Sequence, residues 1–213
     1  MGYFEEKAIN NSKIGEWKKL LDGKVETEEE LAKKEQNFLF GSVFHALLSG
    51  ESNDEFDKLK PHKRFEAMKM AKKIRQELGH IISKKVSVEK EYYWTQEFDE
   101  IGSVKCKAKT DLVYQDENGL HCLDYKTTAS ESYESFLSSV MAFDYHRQAA
   151  WYFLADDFQS YTIVGVSKSK NHDIYIVPPF SRDDVLIEIG LQECIDILKQ
   201  MKNQNKLQNY IQF

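Results

Sequence analysis

The sequence is short of covalent and conformational constraints: its 213 residues include three cysteines, three prolines and ten glycines. Cys106, Cys122 and Cys194 are odd in number and form no CxxC pair, which argues against a disulfide framework and against a cysteine-built zinc or iron–sulfur site within the chain. A reducing, cytoplasmic setting is expected. No apolar run approaches the roughly 18 residues that a membrane-spanning helix needs. The opening "MGYFEEKAIN" carries acids where a signal peptide would carry basic and then apolar residues, and Glu6 stands where a myristoylation signal needs Ser or Thr. The expected protein is neither exported nor membrane-embedded. Positive charge is in deficit as well, with 29 Lys and Arg against 35 Asp and Glu. A nucleic-acid partner would therefore have to be met by a local patch or through a bound metal.

What is present is ordinary globular material: 41% hydrophobic, 30% charged and 13% aromatic residues. The length suits one well-cored domain over residues 1–213, with a helical part to about residue 84 and strands and helices beyond it. "NSKIGEWKKLLDG" predicts a helix capped by Ser12 and ended by Gly23, and "ETEEELAKKEQNFLFGSVFHALLSG" a longer one ending at Gly50. In "PHKRFEAMKMAKKIRQELG", Pro61 suits a helix start, and Phe65, Met68, Ile74 and Leu78 approximate a buried stripe.

From Lys85 the period changes to that of strands. "KVSVEKEYYWTQEF", "SVKCKAKTDLVYQ" and "LHCLDYKTT" are separated by the turn signals "DEIGS" and "DENG", which predicts an antiparallel meander. Helix follows in "ESYESFLSSVMAFDYHRQAAWYFLADDF", then short strands at "YTIVGVSK" and "DIYIVPP", then a last helix from about Ser181 to Met201. This order implies an α/β fold, a central mixed sheet with helices packed on it.

The chemistry gathers on the meander. Asp124 and Lys126 are two apart on an apolar strand and so share a face, an expensive arrangement unless something pairs with them. Asp111 on the preceding strand is expected on one face with Lys105, Lys107 and Lys109, and a hairpin through "DENG" would bring it close to Asp124. Two adjacent carboxylates repel unless a cation lies between them. A hard divalent cation favours such a site, with Glu89 or its same-face neighbour Glu91 as a third acid. A lysine beside that cation could orient or deprotonate water and stabilise charge on phosphorus. Taken alone, a D-x-K strand is more often a solvated acid–lysine pair, and the three lysines a solvated strand face.

Two helical features add to the set. In "FGSVFHALLSG", Phe40, Phe44, Leu47 and Leu48 make the core stripe, while Gly41 and His45 stand one turn apart on a neighbouring ridge, where the glycine permits close approach. In "FDYHRQAAWYFL", Gln148 and Tyr152 share a helix face, leaving Ala149, Ala150, Phe153 and Leu154 to pack inward.

In order, His45, Glu89, Asp111, the Asp124/Lys126 pair and the Gln148/Tyr152 pair resemble the PD-(D/E)XK nuclease superfamily, and within it the exonuclease VIII (RecE-type) branch of phage and prophage recombination exonucleases. The segments carrying the resemblance, "GSVFHALL", "VEKEYYWTQEFDEIGSVKCKAKTDLVY", "CLDYKTT" and "FDYHRQAAWY", together with the helical leader, run from about residue 10 to 155. The resemblance implies a restriction-endonuclease-like core and hydrolysis of DNA phosphodiester bonds with Mg²⁺ or Mn²⁺. Asp111, Asp124, Glu89 and His45 correspond to metal-site residues, Lys126 to the motif lysine, and Gln148 and Tyr152 to the glutamine–tyrosine motif near the substrate strand. Beside these, Lys109 and Thr127 are expected as further substrate contacts. Implied partners are double-stranded DNA ends, a single-strand annealing protein and further copies of the chain in a ring. Where the branch has Pro before its first aspartate this chain has Thr110, expected to alter strand geometry locally and not the metal chemistry. Alternatives are a structure-specific or restriction-type endonuclease on the same fold, or a non-catalytic DNA-end-binding subunit.

Overall fold

The computed structural model describes residue 3 and residues 5–210; part of the N-terminal reading, on Met1, Gly2 and Phe4, lies outside them. Helix α1 (Asn11–Leu21) is capped by Asn10, whose Oδ1 accepts the Lys13 N–H at 2.8 Å. Ser12 lies inside the helix, so the expected cap is corrected by two residues. Helix α2 (Glu28–Ser49) starts with a reciprocal Thr27/Glu30 capping box and stops at Gly50 in the left-handed region. After a short 3-10 turn, α3 (Pro61–Glu77) begins on Pro61 and α4 (Gly79–Ile82) leads into the sheet.

The expected α3 stripe is half right. Ile74 and Leu78 are buried, but Phe65 and Met68 are 59% and 50% exposed. Ala67, Met70 and Ala71 are buried instead. Small side chains let α3 lie close against its neighbours, and that rotates the larger ones outward.

The strands β1 (Lys85–Phe98), β2 (Gly102–Asp116), β3 (Gly119–Thr128), β4 (Phe158–Ser167) and β5 (Ile174–Ile176) form one sheet in sequence order. β3 and β4 are parallel and the other pairs antiparallel, so the sheet is mixed as expected. The β3–β4 crossover is made by α5 (Tyr133–Ala142) and α6 (Tyr145–Phe153), and α7 (Val185–Asn203) closes the fold. Thr110 keeps regular register with Lys90, and its hydroxyl donates to the Lys90 carbonyl at 3.4 Å, a bond that proline could not make.

Two apolar clusters lie on the two faces of the sheet. One joins α1, α5, α6 and α7 to Cys106, Ala108, Cys122 and Ile163; the other joins α2 and α3 to Leu112, Leu123, Tyr125 and Val164. Even-numbered Val104, Cys106 and Ala108 belong to the first cluster, yet Leu112 belongs to the second and Val113 to the first. The side-chain alternation of β2 therefore reverses between Ala108 and Leu112. Beside this stretch, Glu89 of β1 has φ 47°, a left-handed conformation that costs a non-glycine residue about 1–2 kcal/mol.

At the same place β2 and β3 part. Their pairing runs from Asp116↔Gly119 to Leu112↔Leu123 and stops. Beyond it the free edge of β2 is satisfied by other groups. Trp151 Nε1 donates to the Lys107 carbonyl at 3.1 Å and the Tyr152 hydroxyl to the Lys109 carbonyl at 2.7 Å. Ile9 bridges Lys105 and Lys107 through its own backbone. Helix α6 is thus wedged into a split sheet, and the split is where the chemical residues converge.

Candidate active site

Each side of the split contributes side chains. From α2, His45 points Nδ1 at Asp111 Oδ1, 3.2 Å away, and lies 3.9 Å from Glu89 Oε1. One donor atom from each of His45, Glu89 and Asp111 falls within 4.8 Å of the others, a spacing that a single metal ion can bridge. Asp111 Oδ2 accepts the Tyr125 N–H at 2.7 Å, so the carboxylate stands in for the strand carbonyl that the split removes. Lys109 Nζ holds Glu89 Oε2 at 2.9 Å. Glu91 is exposed and accepts the Tyr93 hydroxyl at 2.8 Å, so of the two acids it is Glu89 that reaches the cluster.

Asp124 and Lys126 stand beside this group. Lys126 Nζ is 2.6 Å from Asp124 Oδ2, and Gln148 Nε2 donates to Asp124 Oδ1 at 2.8 Å. With one oxygen on a lysine and the other on an amide, Asp124 lies next to the three potential ligands and not among them. Lys126 also sits over the Tyr145 ring, 4.9 Å from its centroid. Tyr145 precedes Gln148 by one helical turn, and that i, i+3 spacing was the available sequence signal for it.

The expected lysine face divides. Lys107 is buried, with Nζ bonded to the carbonyls of Tyr3 and Glu6 at 2.5 and 2.8 Å, and so anchors the N-terminal segment instead of meeting solvent. Of Lys105, Lys107 and Lys109, Lys109 is the one that lines the site. Gly41 also departs from expectation: no heavy atom lies within 4 Å of where its Cβ would be. It borders an open cavity of about 620 Å³ lined also by His45, Glu89, Asp111, Asp124, Lys126, Thr127, Gln148 and Tyr152. The glycine leaves room for a ligand, not for a neighbouring element. Tyr152 faces the same cavity, but its hydroxyl is committed to β2.

The charges are strongly interdependent. Burial works against a charged His45 ring, but the Asp111 carboxylate, and then Glu89, outweigh it and raise the imidazole above its ordinary value. Asp111 is likewise penalised by burial, yet His45, Lys126 and the Tyr125 N–H hold it below the usual carboxylate range. Burial raises Asp124 despite Lys126. Glu89 rises through burial and through repulsion by Asp111. For Lys126, burial is outweighed by Asp124 and the pKa is raised, which keeps the amine protonated.

This arrangement, a mixed sheet whose split edge displays acid, acid and x-Lys, defines a PD-(D/E)XK-type nuclease fold. The chain belongs to the family described as the PDDEXK-like domain of unknown function, whose model matches residues 7–209. No curated protein matches it. Among solved structures it is similar to a provisionally assigned exonuclease from Eubacterium rectale, with a TM-score of 0.56 and 18% identity over 87% of this chain and 70% of that one. An alkaline exonuclease from Laribacter hongkongensis overlaps more loosely, with a TM-score of 0.39 and 13% identity over 76% of this chain and 87% of that one. The likeness to the first of these concerns the fold. Among the described residues no helix is long and apolar enough to cross a membrane.

Proposed function

We propose that the protein is a divalent-metal-dependent deoxyribonuclease, an exonuclease of the RecE type that resects linear double-stranded DNA ends for recombination. The observation that carries this reading is the convergence of His45, Glu89 and Asp111 with the Asp124/Lys126 pair on one open cavity. Two carboxylates and an imidazole within bridging distance suit Mn²⁺ or Mg²⁺. When bound, such an ion polarises a phosphoryl oxygen and lowers the pKa of a water. His45, Glu89 and Asp111 would hold it, and Asp124, which lines the same cavity, would take part through water.

The remaining work falls to the chain itself. Lys126, kept protonated by Asp124, is poised to donate hydrogen bonds to negative charge developing around phosphorus, and it is a poor proton acceptor in this state. Gln148 fixes the Asp124 carboxylate and thereby the direction of the lysine. Tyr152 ties α6 to β2, which keeps the split open to the cavity. Lys109 and Thr127 line the wall where a substrate strand would lie.

A ring of several copies, an annealing partner for the exposed strand and action within the cytoplasm belong to the same proposal. The three cysteines are all free and buried, which accords with a reducing compartment. The test is digestion of an end-labelled linear duplex beside a covalently closed circle, with Mg²⁺, Mn²⁺ or chelator. Loss of the linear DNA alone, abolished by chelator and by Asp111→Asn, is the expected result. Cutting of the circle would favour an endonuclease, and binding of ends without any cutting a non-catalytic subunit.

A further inference from the structure

Charge is distributed very unevenly along this acidic chain. Residues 58–85 carry ten Lys or Arg and two acids, whereas the other 185 residues carry 19 Lys or Arg and 33 acids. The centre of that segment is α3, whose inner face, Ala67, Met70, Ala71 and Ile74, is buried against α2 and the sheet. Its outer face presents Phe65, Met68, Lys69, Lys72 and Arg75, spaced by three and four residues and all exposed. Lys69 Nζ stands over the Phe65 ring, 4.4 Å from its centroid.

Four other cations of the segment are already engaged: Lys58 with Glu55, Lys63 with Glu66, Arg64 with Asp57 and Lys73 with Glu77. Among the described residues, no carboxylate lies within the 4.0 Å ion-pair distance of Lys69, Lys72, Lys84 or Lys85. The segment also leads to the candidate active site. Lys63 stands over the Phe40 ring near the middle of α2, and Arg75 reaches the Leu47 carbonyl near its end, so α3 runs alongside the helix that carries His45. At the far end, Ile82 and Lys85 line a small hollow together with His45, Glu89 and Asp111.

We propose that the outward face of α3, continued by Lys84 and Lys85, is a docking surface for the sugar–phosphate backbone of the nucleic acid whose scissile phosphate occupies the cavity. The identity of the occupant rests on the nuclease reading. The charge complementarity is specific to this segment, since an acidic protein has little else to offer a polyanion. Unpaired lysines at helical spacing neutralise phosphates without reading sequence, which suits an enzyme that acts on any end. The exposed Phe65 and Met68 add apolar contact to sugar or base edges.

The test is the double variant Lys69→Gln/Lys72→Gln, which keeps good helix formers on the surface of α3. Binding of a fluorescent duplex is measured in Ca²⁺, in place of the catalytic ion, across a range of salt. Loss of two phosphate contacts should lower the slope of log affinity against log salt by about 1.8 and weaken binding about tenfold or more at low salt. Hydrolysis of bis-p-nitrophenyl phosphate with Mn²⁺, a substrate too small to reach α3, should proceed at the wild-type rate in the variant. Unchanged affinity and slope overturn the docking surface, as does wild-type protein that prefers phosphatidylserine vesicles or polyglutamate to the duplex. Failure of the wild type to hydrolyse both the small diester and DNA, while α3-dependent duplex binding persists, removes the nuclease reading and leaves the surface standing.

Discussion

Asp111 accepts the backbone N–H of Tyr125 at 2.7 Å while its other oxygen faces His45 Nδ1 at 3.2 Å. One carboxylate thus completes a strand ladder and forms a corner of the candidate metal group. Asp111→Asn keeps an oxygen for Tyr125 but loses the charge; it should fold and lack metal-dependent nuclease activity. Asp111→Ala leaves the N–H unpaired, and its stability should fall by a further 1–3 kcal/mol or so, as for a buried orphan donor. Urea denaturation of both variants measures this, and equal stabilities would contradict the backbone role.

A proton should compete with the metal. His45 is raised by Asp111, so its contribution to stability is full below the unfolded histidine value and is lost as pH rises through the raised folded one. Asp111 is depressed by the same partner, so its contribution is present above the unfolded aspartate value and lost as pH falls through the depressed one. If His45 ligates the ion, the imidazole must first give up its proton. Mn²⁺ affinity should therefore rise with pH until the raised value is passed, with proton release visible by calorimetry in buffers of different ionisation heat. In His45→Gln the share of that pH dependence owed to the imidazole should be lost, leaving that of the Glu89 and Asp111 carboxylates.

Lys126 and Asp124 should behave as a unit. Lys126→Ala strands a carboxylate that is only 3% exposed, and breaking such a buried pair costs about 3–5 kcal/mol. Asp124→Asn with Lys126→Met removes both charges and should recover much of that loss while remaining inactive. A double-mutant cycle in chemical denaturation reads the coupling; additive effects would mean that the pair is not energetically linked.

Two glycines should respond oppositely to alanine. Gly41 is helical, with nothing within 4 Å of its missing Cβ, so Gly41→Ala should stabilise α2 by about 0.5–1 kcal/mol. At Gly190 a Cβ would stand 2.8 Å from the Arg147 Cα, a backbone atom that cannot easily move, and Gly190→Ala should be clearly destabilised. Thermal melts compare the two. Gly41→Trp should fold yet obstruct the cavity, so that DNA cleavage falls while Mn²⁺ binding remains.

Much of this architecture is written in local patterns. The helix start at Pro61, the stop at Gly50, the two hairpins and the mixed sheet follow from capping chemistry, turn residues and periodicity, and they occur where those rules place them. Strand period placed Asp124 and Lys126 on one face, and helix period Gln148 and Tyr152 on another; it was the resemblance to the PD-(D/E)XK nucleases that joined them, with His45, into a set. The cap of α1 was misplaced locally, at Ser12 and not Asn10, whereas on α3 and β2 it was packing that overrode the sequence expectation. Small alanines rotated α3 so that Phe65 and Met68 face outward, and the N-terminal segment covered Lys107.

Alternation along a strand assumes a regular ladder, and in this sheet the ladder breaks where the chemistry is. Sequence by itself determined which elements form and which ionisable residues they carry, since propensity and period act over a few neighbours. Only the tertiary structure decided that β2 pairs with β3 from Leu112 onward and not before it, that Glu89 turns left-handed to enter the cluster while Glu91 stays outside, and that α6 fills the gap. Those outcomes depend on backbone groups finding partners more than a dozen residues away, from Tyr125 for Asp111 to Tyr152 for Lys109, and no local pattern encodes such a distance.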